Sequence, residues 1–155
     1  MSVKIILVPT DFSENAQAAF EVAYDLAIQM EAHLRVLHVQ DESALRIAVR
    51  EGLLDGCATD EQLQAAVEKL TAGRFSKMLA DIDRTKVALE YSARRGDSDQ
   101  VIVAYAREIN ADMVVIGRRG AGMMKEIISA VVGSVTESVI RKSPCPVLIV
   151  RRDHR

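Results

Sequence analysis

Residues 116–137 read IGRRGAGMMKEIISAVVGSVTE. They set small residues and backbone amides directly after an apolar run, residues 113–116 (MVVI), that reads as a buried strand. A strand that ends in a glycine-rich loop and then a helix start is a place where a chain can meet phosphate. Glycine leaves the backbone open to close approach, and N–H groups at a loop or helix start stabilise an anion.

Working outward from that stretch, apolar runs alternate with helical patterns. Residues 3–8 (VKIILV) form a β-branched and leucine run expected to end at Pro9, as in a strand covered on both faces. From 14 to 30, Ala16, Ala19, Phe20, Ala23, Ala27 and Met30 keep a three-to-four spacing, with Asp11 or Ser13 as the cap. Residues 34–39 give a second strand, and 43–53 a short helix within a polar connection. Thr59 and Gln62 have capping-box spacing ahead of what should be the longest helix. Its stripe is read as Leu63, Ala66, Val67, Leu70, Met78, Leu79 and Ile82, with Gly73 as a weak point.

A third strand is expected over 86–93, closed by Gly96, and Asp97 with Gln100 offers another capping box for a helix over 97–110. That helix presents Ile102, Tyr105, Ala106 and Ile109 on one face. A last helix over 134–142 and a strand over 147–150, after Pro144 and Pro146, complete the order βαβαβαβαβ. Strands joined by helical crossovers pair in parallel, so an open α/β sheet with helices on both faces is favoured. Ligands of such sheets bind beyond the carboxyl ends of strands where the order reverses. Two segments leave such ends with loop chemistry: Val8-Pro9-Thr10-Asp11, and Gly117-Arg118-Arg119-Gly120.

The 155 residues suit a single domain, 1–155, and the few aromatics leave an aliphatic core. A net charge of −2 gives no reason to expect nucleic acid, although Arg151, Arg152, His154 and Arg155 are locally basic. The apolar start is too short for a signal-peptide core and nothing approaches the ~20 residues of a membrane span, so a cytoplasmic protein without membrane insertion is expected. Cys57 and Cys145 stand apart without metal-ligand or redox spacing, and read as reduced thiols with Cys145 partly buried. His33, His38 and His154 accompany no nucleophile and read as structural or solvent-facing. No catalytic residue is assigned, and the metal ligands remain open.

The combination KIILVPTDFSENAQAAF, LHV, ADMVVIGRRG and GSVTESVIRKSPCPVLIV resembles the universal stress protein family over the whole chain. The resemblance implies a five-stranded Rossmann-like sheet in the order 3-2-1-4-5, which sets strands one and four side by side. Its nucleotide-binding branch carries G-x2-G-x9-G-[S/T] around the phosphates of ATP, and Gly117, Gly120, Gly133 and Ser134 match in type. Ile116, Arg118, Arg119, Val135 and Thr136 flank those positions. Pro9, Thr10 and Asp11 correspond to the segment contacting adenine and ribose, with Asp11 as ribose acceptor, and Val39 to a backbone contact. ATP is the implied cofactor, with Mg held by the phosphates and Asp11 as a candidate companion.

Between Gly120 and Gly133 stand 12 residues where the family pattern has nine. Three residues are close to one helical turn, which could be absorbed while Gly133 still starts a helix. Against phosphate binding stands a packing reading: Met124, Ile127, Ile128, Val131, Val132, Val135 and Val139 keep helical spacing, so Gly133 could lie within or between packed helices at a cost of about 1 kcal/mol. Ser134 and Glu137 have capping-box spacing, Asp11 could cap the first helix, Thr10 could be a turn hydroxyl, and Arg118 and Arg119 could be solvated. The absent P-loop lysine argues for slow hydrolysis or none. Three functions follow: a nucleotide-dependent regulatory switch in stress response, a nucleotide-free interaction protein of the same fold, and a slow ATPase. The resemblance also implies a homodimer through residues 146–151, with apolar residues of the longer loop allowing a tetramer, and an unidentified protein client.

Overall fold

Apolar runs without alternation have to be covered on both faces, and the arrangement of this chain does that. The computed structural model describes residues 2–52, 56, 59–118 and 133–152. Five strands, β1 (Ile5–Thr10), β2 (His33–Gln40), β3 (Leu89–Arg95), β4 (Met113–Gly117) and β5 (Val147–Val150), form one parallel sheet. Their order is β3-β2-β1-β4-β5, as the resemblance implied. The helices are α1 (Glu14–Met30), α2 (Glu42–Arg50), α3 (Asp60–Met78), α4 (Ser98–Glu108) and α5 (Ser134–Lys142).

Even-numbered positions of the central strands, Ile6, Val8, Leu34 and Val36, pack with Phe20 of α1 and Val67 and Phe75 of α3. Leu7, Leu37, Val114 and Ile116 pack on the other side with Ile102 and Ala106 of α4 and Val139 of α5. The chain builds outward from β1 through β2 to β3, then returns to start again at β4 on the other side. The reversal lies between β1 and β4.

Several boundaries differ from the sequence expectation for identifiable reasons. Pro9 lies inside β1, opposite Leu37, instead of ending it. The Ile5 carbonyl accepts Asp112 N–H, so alternation turns the Pro9 nitrogen to the β4 side. The β1–β4 register there runs Ile6↔Met113 and Leu7↔Val114. Pro9 is beyond it, and its missing N–H costs the ladder nothing. β3 starts later than expected, because residues 83–85 turn on the Asp83 carboxylate, which accepts Thr85 N–H at 3.0 Å. α4 stops at Glu108, where Asn110 takes φ 52° and Ala111 N–H returns to the Ala106 carbonyl, a left-handed closure.

α3 does carry the Thr59–Gln62 capping box, with both arms formed. Its stripe is the expected one in part: Val67, Met78 and Leu79 are buried as expected, Thr71 and Phe75 join them, and Leu70 is 62% exposed. A threonine replaces an expected apolar position because its hydroxyl donates to the Val67 carbonyl at 2.8 Å and so enters the core satisfied. Cys145 is partly buried, and burial pushes its thiol pKa up; Cys57 lies outside the described residues.

Candidate functional site

A cleft of about 550 Å³ opens where β1 and β4 diverge at their carboxyl ends, a size within the usual range for small-molecule sites. Pro9, Thr10 and Asp11 come to it from β1 and the turn after it, and Ile116 and Gly117 from β4. Leu37, Val39, Gln40 and Asp41 form the β2 side, Ser98 and Ile102 the α4 side, and Gly133 to Thr136 the side made by the start of α5. Leu37, Val39, Ile102 and Ile116 give it an apolar floor, while polar groups gather at strand ends and helix starts.

The start of α5 has donors to offer. Gly133 is its N-cap, in an extended conformation (φ −59°, ψ 151°), and among the described residues no side chain caps the turn. The first intrahelical bond recorded runs from Glu137 N–H to the Gly133 carbonyl at 2.9 Å. The N–H groups of Ser134, Val135 and Thr136 therefore precede it, at the end of the helix where partial positive charge gathers. The Ser134–Glu137 capping box is not formed, since Ser134 is the first helical residue instead of the cap. Gly133 is likewise not within a helix but at the start of one, so of the packing reading only the place inside a helix is excluded. Met124, Ile127, Ile128, Val131 and Val132 lie outside the described residues, as do Arg119 and Gly120.

Gly117 has a packing reason of its own. A Cβ there would stand 2.8 Å from the Asn15 carbonyl oxygen, so only glycine lets β4 pass the first turn of α1 this closely. Its carbonyl accepts the buried Thr136 hydroxyl at 3.0 Å, which joins β4 to α5. Thr136 thus spends its hydroxyl on the scaffold and keeps its amide for the cleft. Arg118 is not on the cleft wall: its N–H donates to the Val150 carbonyl and its carbonyl accepts Gly133 N–H, both at 3.0 Å.

On the β1 side the turn is fixed by local bonds. The Thr10 hydroxyl accepts Phe12 N–H and the Asp11 carboxylate accepts Ser13 N–H, each at 3.0 Å. Ser13, not Asp11, caps α1 by accepting Ala16 N–H at 3.2 Å. Thr10 is the turn hydroxyl that the sequence allowed, and it still lines the cleft. His38, buried, donates from Nδ1 to the Thr10 carbonyl at 2.8 Å, and His33 is exposed, so both histidines are structural or solvent-facing. His154 lies outside the described residues.

The two helices of this side are joined below the cleft. Asp99 of α4 accepts the Ser138 hydroxyl at 2.5 Å and the Lys142 ammonium at 3.2 Å. These bonds, the hydroxyl's first, hold its carboxyl below the usual carboxylate range. Asp97 makes no capping bond with its side chain, contrary to the expected box with Gln100.

A model of the universal stress protein family matches residues 2–151. The chain belongs to that family. A Staphylococcus aureus (strain USA300) protein named for universal stress proteins is 29% identical over 99% of this chain and 87% of its own length. Among solved structures, MJ0577 is 28% identical with a TM-score of 0.79, covering 100% of both chains. Universal stress protein UspA from Lactobacillus plantarum is 30% identical with a TM-score of 0.70, covering 97% of this chain and 99% of that one. Two more distant members of the fold hold adenine nucleotides. One, in complex with cAMP, is 21% identical (TM-score 0.59; 97% and 98% covered). The other, from Arabidopsis thaliana with AMP bound, is 19% identical (TM-score 0.60; 97% and 93% covered).

Sequence reasoning found the β1, β4 and α5 sides of the cleft and missed Ala16, Leu37, Gln40, Asp41, Ser98 and Ile102. Gln40 and Asp41 were within reach, since they follow the second apolar run and that strand neighbours the first. Ser98 and Ile102 enter through the packing of α4 on the sheet beside the cleft, for which the sequence carries no local signal.

Proposed function

We propose that this chain is a nucleotide-binding universal stress protein, taking ATP at the carboxyl ends of β1 and β4 and serving as a dimeric regulatory switch in stress response. The observation that carries the reading is the start of α5: Ser134, Val135 and Thr136 amides on the cleft wall without a side-chain cap. Such a helix start suits phosphate. Gly133 lets the backbone come close, and Asp11, beside the apolar floor of Val39 and Ile116, would accept ribose hydroxyls. Arg119 and Gly120 would complete the phosphate side. Mg would be held by the phosphates with Asp11; among the described residues no group of three His, Cys, Asp or Glu assembles to hold a metal by itself. Adenine nucleotides in the cAMP and AMP complexes of the same fold support the ligand class.

The whole chain acts as one domain in this reading, and it pairs through residues 146–151. Leu148 and Ile149 of β5 are 37% and 39% exposed on an edge strand, and an open apolar edge favours pairing with a second copy. Residues 121–132 would offer the further surface for a tetramer, and the nucleotide would bias which surface meets a protein client. Among the described residues no helix is long and apolar enough to cross a membrane, in keeping with a protein that works in the cytoplasm.

The test is the nucleotide content of freshly purified protein, released by denaturation and identified by chromatography, followed by calorimetric titration of the emptied protein with ATP and Mg. Bound adenine nucleotide or saturable binding is expected. An empty protein that gives no heat at several temperatures would overturn the reading in favour of the nucleotide-free interaction protein.

A further inference from the structure

Phe12 is held in a backbone conformation that bulky residues avoid. Its φ is 61°, in the left-handed region, between Asp11, which lines the cleft, and Ser13, which caps α1. The contacts that keep it there come from the α3 side of the sheet, away from the α4 and α5 side of the cleft. The His38 ring is 4.8 Å from the Phe12 ring, Phe75 meets it edge-on at 5.0 Å, and the Arg74 guanidinium stands 4.5 Å above it. Phe75 is itself buried and stacked on Tyr91 at 4.5 Å, so the clamp is anchored in β3 as well.

We infer that Phe12 is a positioning residue: its ring, clamped by Arg74, Phe75 and His38, fixes the left-handed turn that presents Thr10 and Asp11 to the cleft. The geometry links the two ends directly. The Asp11 carboxylate holds Ser13 N–H, which lies beyond the Phe12 φ and so depends on it, while the Thr10 hydroxyl holds Phe12 N–H and fixes the peptide plane from which that φ turns. His38 contributes twice, against the ring and through its bond to the Thr10 carbonyl. Strain of this kind persists only where the surroundings over-determine it. The Thr10–Asp11 side of the cleft is thus set from α3, no residue of which lines the cleft, while the opposite side is set by α5. The consequence for nucleotide binding rests on the function proposed above.

Amide hydrogen exchange on the ligand-free full chain tests the clamp without any ligand. In Phe12→Ala, exchange at the Phe12 and Ser13 amides should rise about tenfold more than in the rest of the chain. Arg74→Gln, exposed on α3, should give the same local pattern at a few-fold. Phe12→Gly should be milder than Phe12→Ala, because glycine accepts positive φ. Simple loss of buried surface would not rank them so. Calorimetry then reads the ligand: Phe12→Ala should weaken AMP and ATP by the same factor. Wild-type exchange at both amides, or a uniform rise throughout the chain, would overturn the inference. Wild-type protein that binds neither AMP nor ATP would instead overturn the nucleotide reading, with exchange still deciding the clamp.

Discussion

α1 and α3, on one face of the sheet, begin with hydroxyl side chains folded onto their first amides, at Ser13 and Thr59. α4 and α5, on the other face, begin at Asp97 and Gly133 with no side-chain capping bond, and both starts line the cleft through Ser98 and through Ser134 to Thr136. A helix start left open in a folded protein keeps donors for water or a ligand. A helix that closes its own start has spent them on stability. Both open starts lie on the cleft, whereas of the two closed ones only that of α1 reaches it, through Ala16.

The most forceful way to break that contrast is to place a fixed anion at the open start. Ser134→Asp should weaken ATP about 10–100-fold in calorimetry, since a carboxylate beside those amides competes with phosphate and repels it. The same change should leave the melting temperature equal or slightly higher, because acidic residues favour the first turn of a helix. Binding and stability then move in opposite directions. If affinity stays at the wild-type level, phosphate does not sit on α5.

Gly117 marks where the two faces meet, and the next effect in size belongs to it. Gly117→Ala puts a methyl group 2.8 Å from the Asn15 carbonyl oxygen, against backbone that cannot rotate away. The expected cost is about 1–3 kcal/mol in urea denaturation, as for other overpacked sites. A neutral result would mean that β4 and the first turn of α1 approach each other less closely than this.

Smaller still is the direct comparison of caps. Thr59→Ala removes one arm of a formed capping box and should cost about 1 kcal/mol. Asp97→Ala removes a side chain that makes no capping bond, and should stay within about 0.5 kcal/mol. Equal losses at the two positions would erase the distinction between closed and open starts.

Those two residues also mark what the sequence could and could not convey. The strands read at 113–116 and 147–150 and the helix at 134–142 were legible because apolar runs and turn residues act locally. Thr59 followed by Gln62 was read correctly for the same reason. Asp97 with Gln100 and Ser134 with Glu137 have the same spacing and form no box: Asp97 stands at the cap but makes no capping bond with its side chain, and Ser134 stands one residue past the cap. The cap of α5 is Gly133, tied by its N–H to the Arg118 carbonyl, a long-range bond that spacing does not reveal. Leu70 and Thr71 changed places on α3 since a satisfied hydroxyl can be buried, and periodicity alone gives polar residues no such option. The site followed the same division: strand ends were found from order, and the α4 wall required the packing of that helix on the sheet.

The smallest expected effect concerns the join beneath the open starts. Asp99 has a carboxyl pKa below its ordinary value of 3.8, through the Ser138 hydroxyl first and Lys142 second. A group whose folded pKa is depressed adds stability above its unfolded pKa and loses it as pH falls through the folded one. The α4–α5 join should therefore be intact at neutral pH and weaken below 3.8. Glu108, held low by Arg94, and Asp83, held low by Thr85, titrate in the same direction, so the acid limb of the wild type mixes all three. The difference between wild type and Asp99→Asn isolates one. In melting temperature it should be largest near neutral pH and shrink as pH falls below 3.8, while Asp83 and Glu108 contribute equally to both proteins and cancel. A difference that does not change with pH would mean that the hydroxyl of Ser138 serves the asparagine as well as the carboxylate, and that the charge of Asp99 adds nothing to the join between the two helices.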